Sequence, residues 1–290
     1  MTNGRRLQGR RSGALARLAA AGILVVFGAV HCGGARKETV TVKGSDTMVI
    51  LGQRWAERYM ATHPKTVIQV TGGGSGTGIA ALINGTTDIC QASRPMKAEE
   101  KQQIQQKYGA PPQETPVALD GITIYLNQAN TVQALSLAQL KDIYTGKATR
   151  WSQVGGGNAP IVLYGRENSS GTYEYFKEHV LEKADFSASV QTLPGTAAVV
   201  SAVSKDMNGI GYGGAAYLKG VKECAVKPDD SSAGMLPSAE NVRSGAYPIS
   251  RSLYFYTSTA PQGAVKDFID YALSPEGQKI VTDVGYFPLR

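Results

Sequence analysis

Residues 39–59 read TVTVKGSDTMVILGQRWAERY, and the order of the parts decides the architecture. Thr39-Val40-Thr41-Val42 is a short β-branched run that suits a strand. Gly44-Ser45-Asp46-Thr47 interrupts it, and a helix follows with Met48, Leu51, Trp55 and Tyr59 on one face, until Pro64 stops it. Strand, small polar loop and amphipathic helix form the half-unit of a layered α/β fold. The same order returns downstream. Val67-Ile68-Gln69-Val70 is followed by Gly72-Gly73-Gly74-Ser75-Gly76-Thr77-Gly78, which opens a helix running through Ile83 and closed by Asn84-Gly85. Ile161-Val162-Leu163-Tyr164 is followed by Asn168-Ser169-Ser170-Gly171-Thr172 and a helix bearing Tyr173, Phe176 and Val180. Between these units, Ile122-Thr123-Ile124-Tyr125-Leu126 reads as a buried strand. Ser136 and Gln139 make a capping box for a helix over residues 137–144, with Gly146 just past its end.

Each of the three loops offers backbone N–H groups and hydroxyls at the positive end of a helix dipole, which suits an anion. In any one loop, capping alone explains the Ser, Thr and Asp residues. Three such loops in one chain favour convergence on one ligand. A reaction centre is short of material. Past residue 31 the only histidines are His63 and His179, and no G-x-x-x-x-G-K-[ST] or H-E-x-x-H motif occurs. Gly76-Thr77-Gly78-Ile79-Ala80-Ala81 fits G-x-G-x-x-A, a weak match in so Gly-rich a loop. No Ser or Cys is flanked by an obvious base. The expectation is an anion-binding protein that is not an enzyme, with no cofactor and no metal.

The chain has 290 residues, 42% hydrophobic and 18% charged, enough for one large domain or two smaller ones with proper cores. Its formal charge of +7 is concentrated at one end, where Arg5, Arg6, Arg10, Arg11 and Arg17 stand without an acid. Without those five, 25 basic residues face 23 acidic ones, so nucleic acid is not an expected partner. The arginines precede Leu18–Val30, an apolar run too short to span a membrane and suited to an export signal over residues 1–31. The run ends at Cys32-Gly33-Gly34, which resembles a bacterial lipoprotein signal whose Cys32 is acylated. Such signals favour Leu three places before the Cys and a small residue just before it, where this chain has Ala29 and His31. Cleavage after Ala35 and an uncleaved anchor are the other two readings, and acylation is preferred. The double arginines are explained by a plain basic head more simply than by twin-arginine export. Cys90 and Cys224 remain, either as a disulfide in an oxidising compartment or as two buried thiols.

The motifs Gly44-Ser45-Asp46-Thr47-Met48, Gly74-Ser75-Gly76, Ala92-Ser93-Arg94-Pro95 and Arg166 with Ser170-Gly171-Thr172 fall in the order and spacing of the phosphate-binding proteins of bacterial ABC importers. Leu137 to Trp151 and Ser274-Pro275-Glu276-Gly277-Gln278 extend a resemblance that covers residues 39–290. It implies the two-lobed α/β fold of type II periplasmic binding proteins, each lobe a sheet flanked by helices, with the ligand cleft between them. Two hinge crossings are expected near Leu119–Ile122 and Pro248–Ser252. After a linker over 32–38, residues 39–119 plus 251–290 would form lobe I, and 120–250 lobe II. The resemblance implies that Thr47, Met48 and Ser75 bind the anion from lobe I, and Arg166, Ser170, Gly171 and Thr172 from lobe II. The implied function is high-affinity extracytoplasmic binding of inorganic phosphate and delivery to a permease with a cytoplasmic ATPase. The protein is expected to be a monomer in the periplasm or at the outer face of the cell membrane, touching the membrane only through its terminal anchor. The alternatives are a receptor for sulfate, molybdate or tungstate and, further off, a phosphate-ester enzyme.

One departure bears on the ligand. Many relatives place an Asp where this chain has Arg94, and that Asp accepts the proton that phosphate carries and sulfate lacks. Arg94 either binds the anion directly, the preferred reading, or pairs with an acid. On the phosphate reading, Arg94→Asp is expected to sharpen discrimination against sulfate. Asp46 is the candidate replacement acceptor, its other reading being a simple N-cap.

Overall fold

The computed structural model describes residues 37–289. The expected signal over 1–31, acylation of Cys32, cleavage after Ala35 and most of the 32–38 linker lie outside them. The chain runs through β1 (Glu38–Gly44), α1 (Val49–Thr62), β2 (Thr66–Thr71), α2 (Ser75–Asn84), β3 (Ile89–Ala92) and α3 (Ala98–Tyr108). It continues through β4 (Gln113–Leu126), β5 (Ala134–Ser136), α4 (Leu137–Tyr144), β6 (Val162–Arg166), α5 (Gly171–His179), β7 (Gln191–Leu193) and α6 (Thr196–Lys205). It ends with β8 (Gly209–Gly214), β9 (Lys222–Lys227), α7 (Ala239–Arg243), β10 (Ser250–Thr257), α8 (Gly263–Leu273) and α9 (Pro275–Val284).

Strand β4 belongs to two sheets. Residues 113–121 lie antiparallel to β10, and residues 122–126 lie antiparallel to β8 and β9. The first lobe's sheet runs β2-β1-β3-β10-β4, and the second lobe's continues β4-β8-β6-β7, with β9 also pairing β5. Sequence patterning anticipated only the second half of β4; its first half carries Pro116, a residue that strands admit only at edges and irregularities. The fold accommodates that proline at an irregularity, where the β4–β10 register shifts between Leu253 and Tyr254 and Pro116 faces Tyr254.

Alternation along the strands sends side chains to a core on each face of each sheet. In β3, Ile89 packs with α1, α8 and α9, whereas its neighbour Cys90 packs against α2 and α3. In β4, Ile124 and Leu126 join the large core with α4 and α5, while Tyr125 faces α6. Cys224 lies in that large core too, so the two thiols occupy different lobes and both are free and buried. The pairing considered from sequence is therefore replaced by two packed thiols.

The expected helical faces form as read: Met48, Leu51, Trp55 and Tyr59 are all buried, and the Trp55 indole donates to the Gly277 carbonyl at 2.8 Å. The capping box of α4 closes, Ser136 Oγ accepting from Gln139 N–H and Gln139 Oε1 from Ser136 N–H, each at 3.0 Å. Helix α2 begins earlier than the glycine run suggests, so Gly76-Thr77-Gly78 is its first turn. A Cβ on Gly78 would lie 2.5 Å from both the Gly44 Cα and the Lys43 carbonyl, so this glycine lets α2 press onto β1. Among the described residues no helix is long and apolar enough to cross a membrane, and no group of three His, Cys, Asp or Glu side chains could hold a metal.

Candidate functional site

The three loops singled out in the sequence meet between the lobes. The first is a single 3₁₀ turn, Asp46–Met48, which leads directly into α1. Thr47 Oγ1 on this turn lies 2.9 Å from Thr172 Oγ1 at the start of α5. Gly76 N–H of α2 donates to the Ser169 carbonyl at 2.9 Å, and a Cβ on Gly171 would press on the hydroxyls of Ser75 and Ser93. Thr47, Ser75, Arg166, Ser170 and Thr172 are all buried.

The hydrogen bonds fix which way these hydroxyls point. Ser170 Oγ accepts from the N–H groups of Thr172 (3.2 Å) and Tyr173 (3.3 Å), capping α5. Ser75 Oγ accepts from Ser93 N–H at 3.0 Å, and Thr172 Oγ1 accepts from Arg251 Nη2 at 2.9 Å. A hydroxyl whose lone pair is taken by an N–H must turn its own hydrogen elsewhere. Capping and anion binding are therefore compatible roles for one residue: the oxygen serves the helix and the hydrogen serves a ligand. Met48 N–H, by contrast, already donates to the Ser45 carbonyl at 3.1 Å.

Arg166 reaches across the lobes. Its Nη2 donates to Asp46 Oδ2 (2.9 Å) and Glu167 Oε1 (2.8 Å), its Nε to Glu167 Oε2 (3.0 Å) and its Nη1 to Thr196 Oγ1 (2.8 Å). Of the five N–H bonds of a guanidinium, this leaves one on Nη1. Burial opposes the charge on both members of the Arg166–Glu167 pair. Their mutual hydrogen bonding nevertheless holds Arg166 above and Glu167 below their ordinary pKa values.

One expectation changes, and one alternative reading falls away. Arg94 does not point into the cluster of hydroxyls. It donates to Glu100 through Nη1 (2.8 Å) and Nη2 (2.7 Å), and its Nε lies 2.6 Å from Glu174 Oε2. Direct contact with an anion was the preferred sequence reading; two carboxylates instead outbid it, because a buried guanidinium requires counter-charges from the protein itself. Asp46 is not an N-cap. Ser45 holds the cap position, while the Asp46 carboxylate accepts from Gly73 N–H at 3.0 Å and from Arg166.

Sequence reasoning missed Ser93 and Arg251. Arg251 pairs with fully buried Asp120 through Nε (3.0 Å) and Nη2 (2.8 Å), and its Nη1 donates to the Ser93 carbonyl at 2.9 Å. The available signal was an arginine within an otherwise apolar strand pattern at the second expected crossing. Arg94, Arg166 and Arg251 are each matched by carboxylates, so the site offers an anion oriented hydroxyl and amide dipoles and the remaining Nη1 hydrogen of Arg166 in place of an unmatched positive charge.

Residues 29–276 match the PBP superfamily domain. The Pseudomonas aeruginosa phosphate-binding protein PstS is 38% identical over 265 residues, covering 85% of this chain and 81% of that protein. The chain belongs to the PstS family of phosphate-binding proteins. The Bacillus subtilis PstS protein is 35% identical, over 87% of this chain and 81% of its own length. Among solved structures, a Clostridium perfringens substrate-binding protein of a phosphate ABC transporter, with bound phosphate, shares 32% identity and superposes with a TM-score of 0.77 over 87% of this chain and all of its own. A Vibrio cholerae ABC-type phosphate transport receptor shares 28% identity with a TM-score of 0.69, over 86% of this chain and 99% of that one. The two-lobed arrangement seen here is the fold of these PstS relatives.

Proposed function

We propose that this protein is an exported receptor that closes on inorganic phosphate and delivers it to the permease of an ABC importer driven by a cytoplasmic ATPase. The observation that carries the reading is the convergence of three helix starts, with the hydroxyls of Ser75, Ser170 and Thr172 accepting from N–H groups so that their own hydrogens turn elsewhere, and with Thr47 and Arg166 beside them. Thr47, Ser75, Ser170, Gly171, Thr172 and the remaining Nη1 hydrogen of Arg166 would hold the oxyanion, and Met48 would contribute only by sharing its N–H with Ser45. A dry, donor-rich site of this kind reaches micromolar affinity or better, about −8 kcal/mol. Asp46 keeps unused lone pairs next to Arg166 and is the assigned acceptor for the proton of bound phosphate. The lobe limits proposed are residues 39–119 plus 251–290 and residues 120–250, with the crossings at the Asp120–Arg251 pair. The receptor would act as a monomer outside the cytoplasm, tethered through Cys32, and without catalysis of its own.

Calorimetric titration of the full chain, first cleared of bound ligand by partial unfolding, tests this reading. Phosphate should bind tightly at pH 7 and sulfate should give no heat. Arg166→Ala should weaken phosphate binding by about a hundredfold, the effect of losing a charge-assisted donor and leaving Asp46 and Glu167 unpaired. Equal binding of sulfate would reject phosphate selectivity.

A further inference from the structure

Four charged side chains meet across the lobes beside the hydroxyl cluster, outside the constellation that would hold the anion. The first lobe supplies Arg94, Lys97 and Glu100, and the second supplies Glu174 from the first turn of α5. Within the first lobe Glu100 takes both terminal nitrogens of Arg94 but leaves Nε. That Nε is buried, and the group facing it is Glu174 Oε2 at 2.6 Å. The other oxygen of Glu174 pairs with Lys97 Nζ. Arg94, Lys97 and Glu100 together carry one surplus positive charge, which Glu174 cancels.

The same turn of α5 carries Ser170, Gly171 and Thr172. Bringing that turn onto an anion and bringing Glu174 onto Arg94 are therefore a single movement. We propose that Glu174 is a positioning residue for closure: Arg94 and Lys97 capture its carboxylate only when α5 seats on the ligand, and the capture slows ligand release without Glu174 touching the ligand. The inference rests on the receptor reading above. It gives Arg94 a role beside a phosphate site that its side chain does not enter. A purely local role for Glu174, as an acid favoured by the α5 dipole, would act equally in open and closed molecules and leave release unchanged.

The test is Glu174→Gln in the full chain, with phosphate dissociation followed by stopped flow and affinity by calorimetry, and sulfate as the second probe. The expected result is dissociation about tenfold faster, with association and the melting temperature of the ligand-free protein unchanged, as for a charge pair made only in the bound state. Lys97→Met should produce a smaller acceleration, because Lys97 is half exposed, and should add nothing in the Glu174→Gln background. Wild-type release rates in Glu174→Gln, or an equal loss of stability with and without ligand, would overturn the inference while leaving the receptor intact. Wild-type protein that binds neither phosphate nor sulfate would overturn the receptor reading, and this inference with it.

Discussion

Arg94 is spent on two carboxylates, and this reverses the consequence of changing it. The sequence alone suggests that Arg94→Asp restores a proton acceptor and sharpens discrimination against sulfate. In the folded protein an Asp at 94 would face Glu100 and Glu174 with no cation but the half-exposed Lys97. The expected outcome of Arg94→Asp is a loss of phosphate affinity of about tenfold or more, from like-charge repulsion across the closing lobes, with no gain in selectivity. Calorimetry with phosphate and sulfate checks both halves. Residue types and spacing made the loop hydroxyls of the candidate site legible in the sequence, and the resemblance to the phosphate-binding proteins pointed to Arg166. They did not reveal where the Arg94 side chain points, because that depends on Glu100 in α3 and Glu174 in α5, whose placement is a tertiary fact. Arg251 was hidden for the same reason: its partner Asp120 lies on the neighbouring strand, 131 positions away in the chain.

Helix α5 shows how one element serves two lobes. Its first residue, Gly171, sits where helical backbone accepts alanine readily, yet a Cβ there would meet Ser75 Oγ and lie 2.8 Å from Ser93 Oγ, both in the opposite lobe. Gly171→Ala should therefore leave the melting temperature of the ligand-free protein unchanged or slightly raised. It should weaken phosphate binding about tenfold to a hundredfold, the cost of overpacking a closed interface. A fall in ligand-free stability would mean that the contact persists in the open molecule. At this scale the sequence was most readable where periodicity was strong, as in α1 and the capped α4. It was least readable in β4, where only residues 122–126 were read as a strand and the first half, which holds Pro116 at an irregularity opposite β10, was not.

Across the whole molecule, partly buried acids tied to buried arginines set the response to pH. Burial works against ionised Glu100 and Glu167, but the hydrogen bonds from Arg94 and Arg166 outweigh it, so both carboxyls titrate below their ordinary value in the folded state. The unfolded chain takes up these protons first, near an ordinary Glu pKa of about 4.3. Their stabilisation is therefore complete above that point and lost as pH falls through the lower folded-state values. Scanning calorimetry between neutral pH and pH 3 should show the melting temperature falling across this acid window, and Glu167→Gln should make the decline shallower. A parallel decline in the variant would assign the effect to other groups.

The strand order of the first lobe, β2-β1-β3-β10-β4, has a consequence for how the chain assembles. Its penultimate strand, β10, is the last strand of the sequence and wedges between two strands that precede it by more than a hundred residues. Ser250 pairs with Gly121, and Ile122 N–H donates to the Ile249 carbonyl at 2.9 Å, so the whole second lobe is an excursion that returns to its point of departure. Until that excursion is complete, β3 and β4 have no bridge between them and the first lobe remains two fragments. A chain delivered from its amino terminus thus stays open to threading until nearly all of it has emerged, and the lobe begun first is the one finished last.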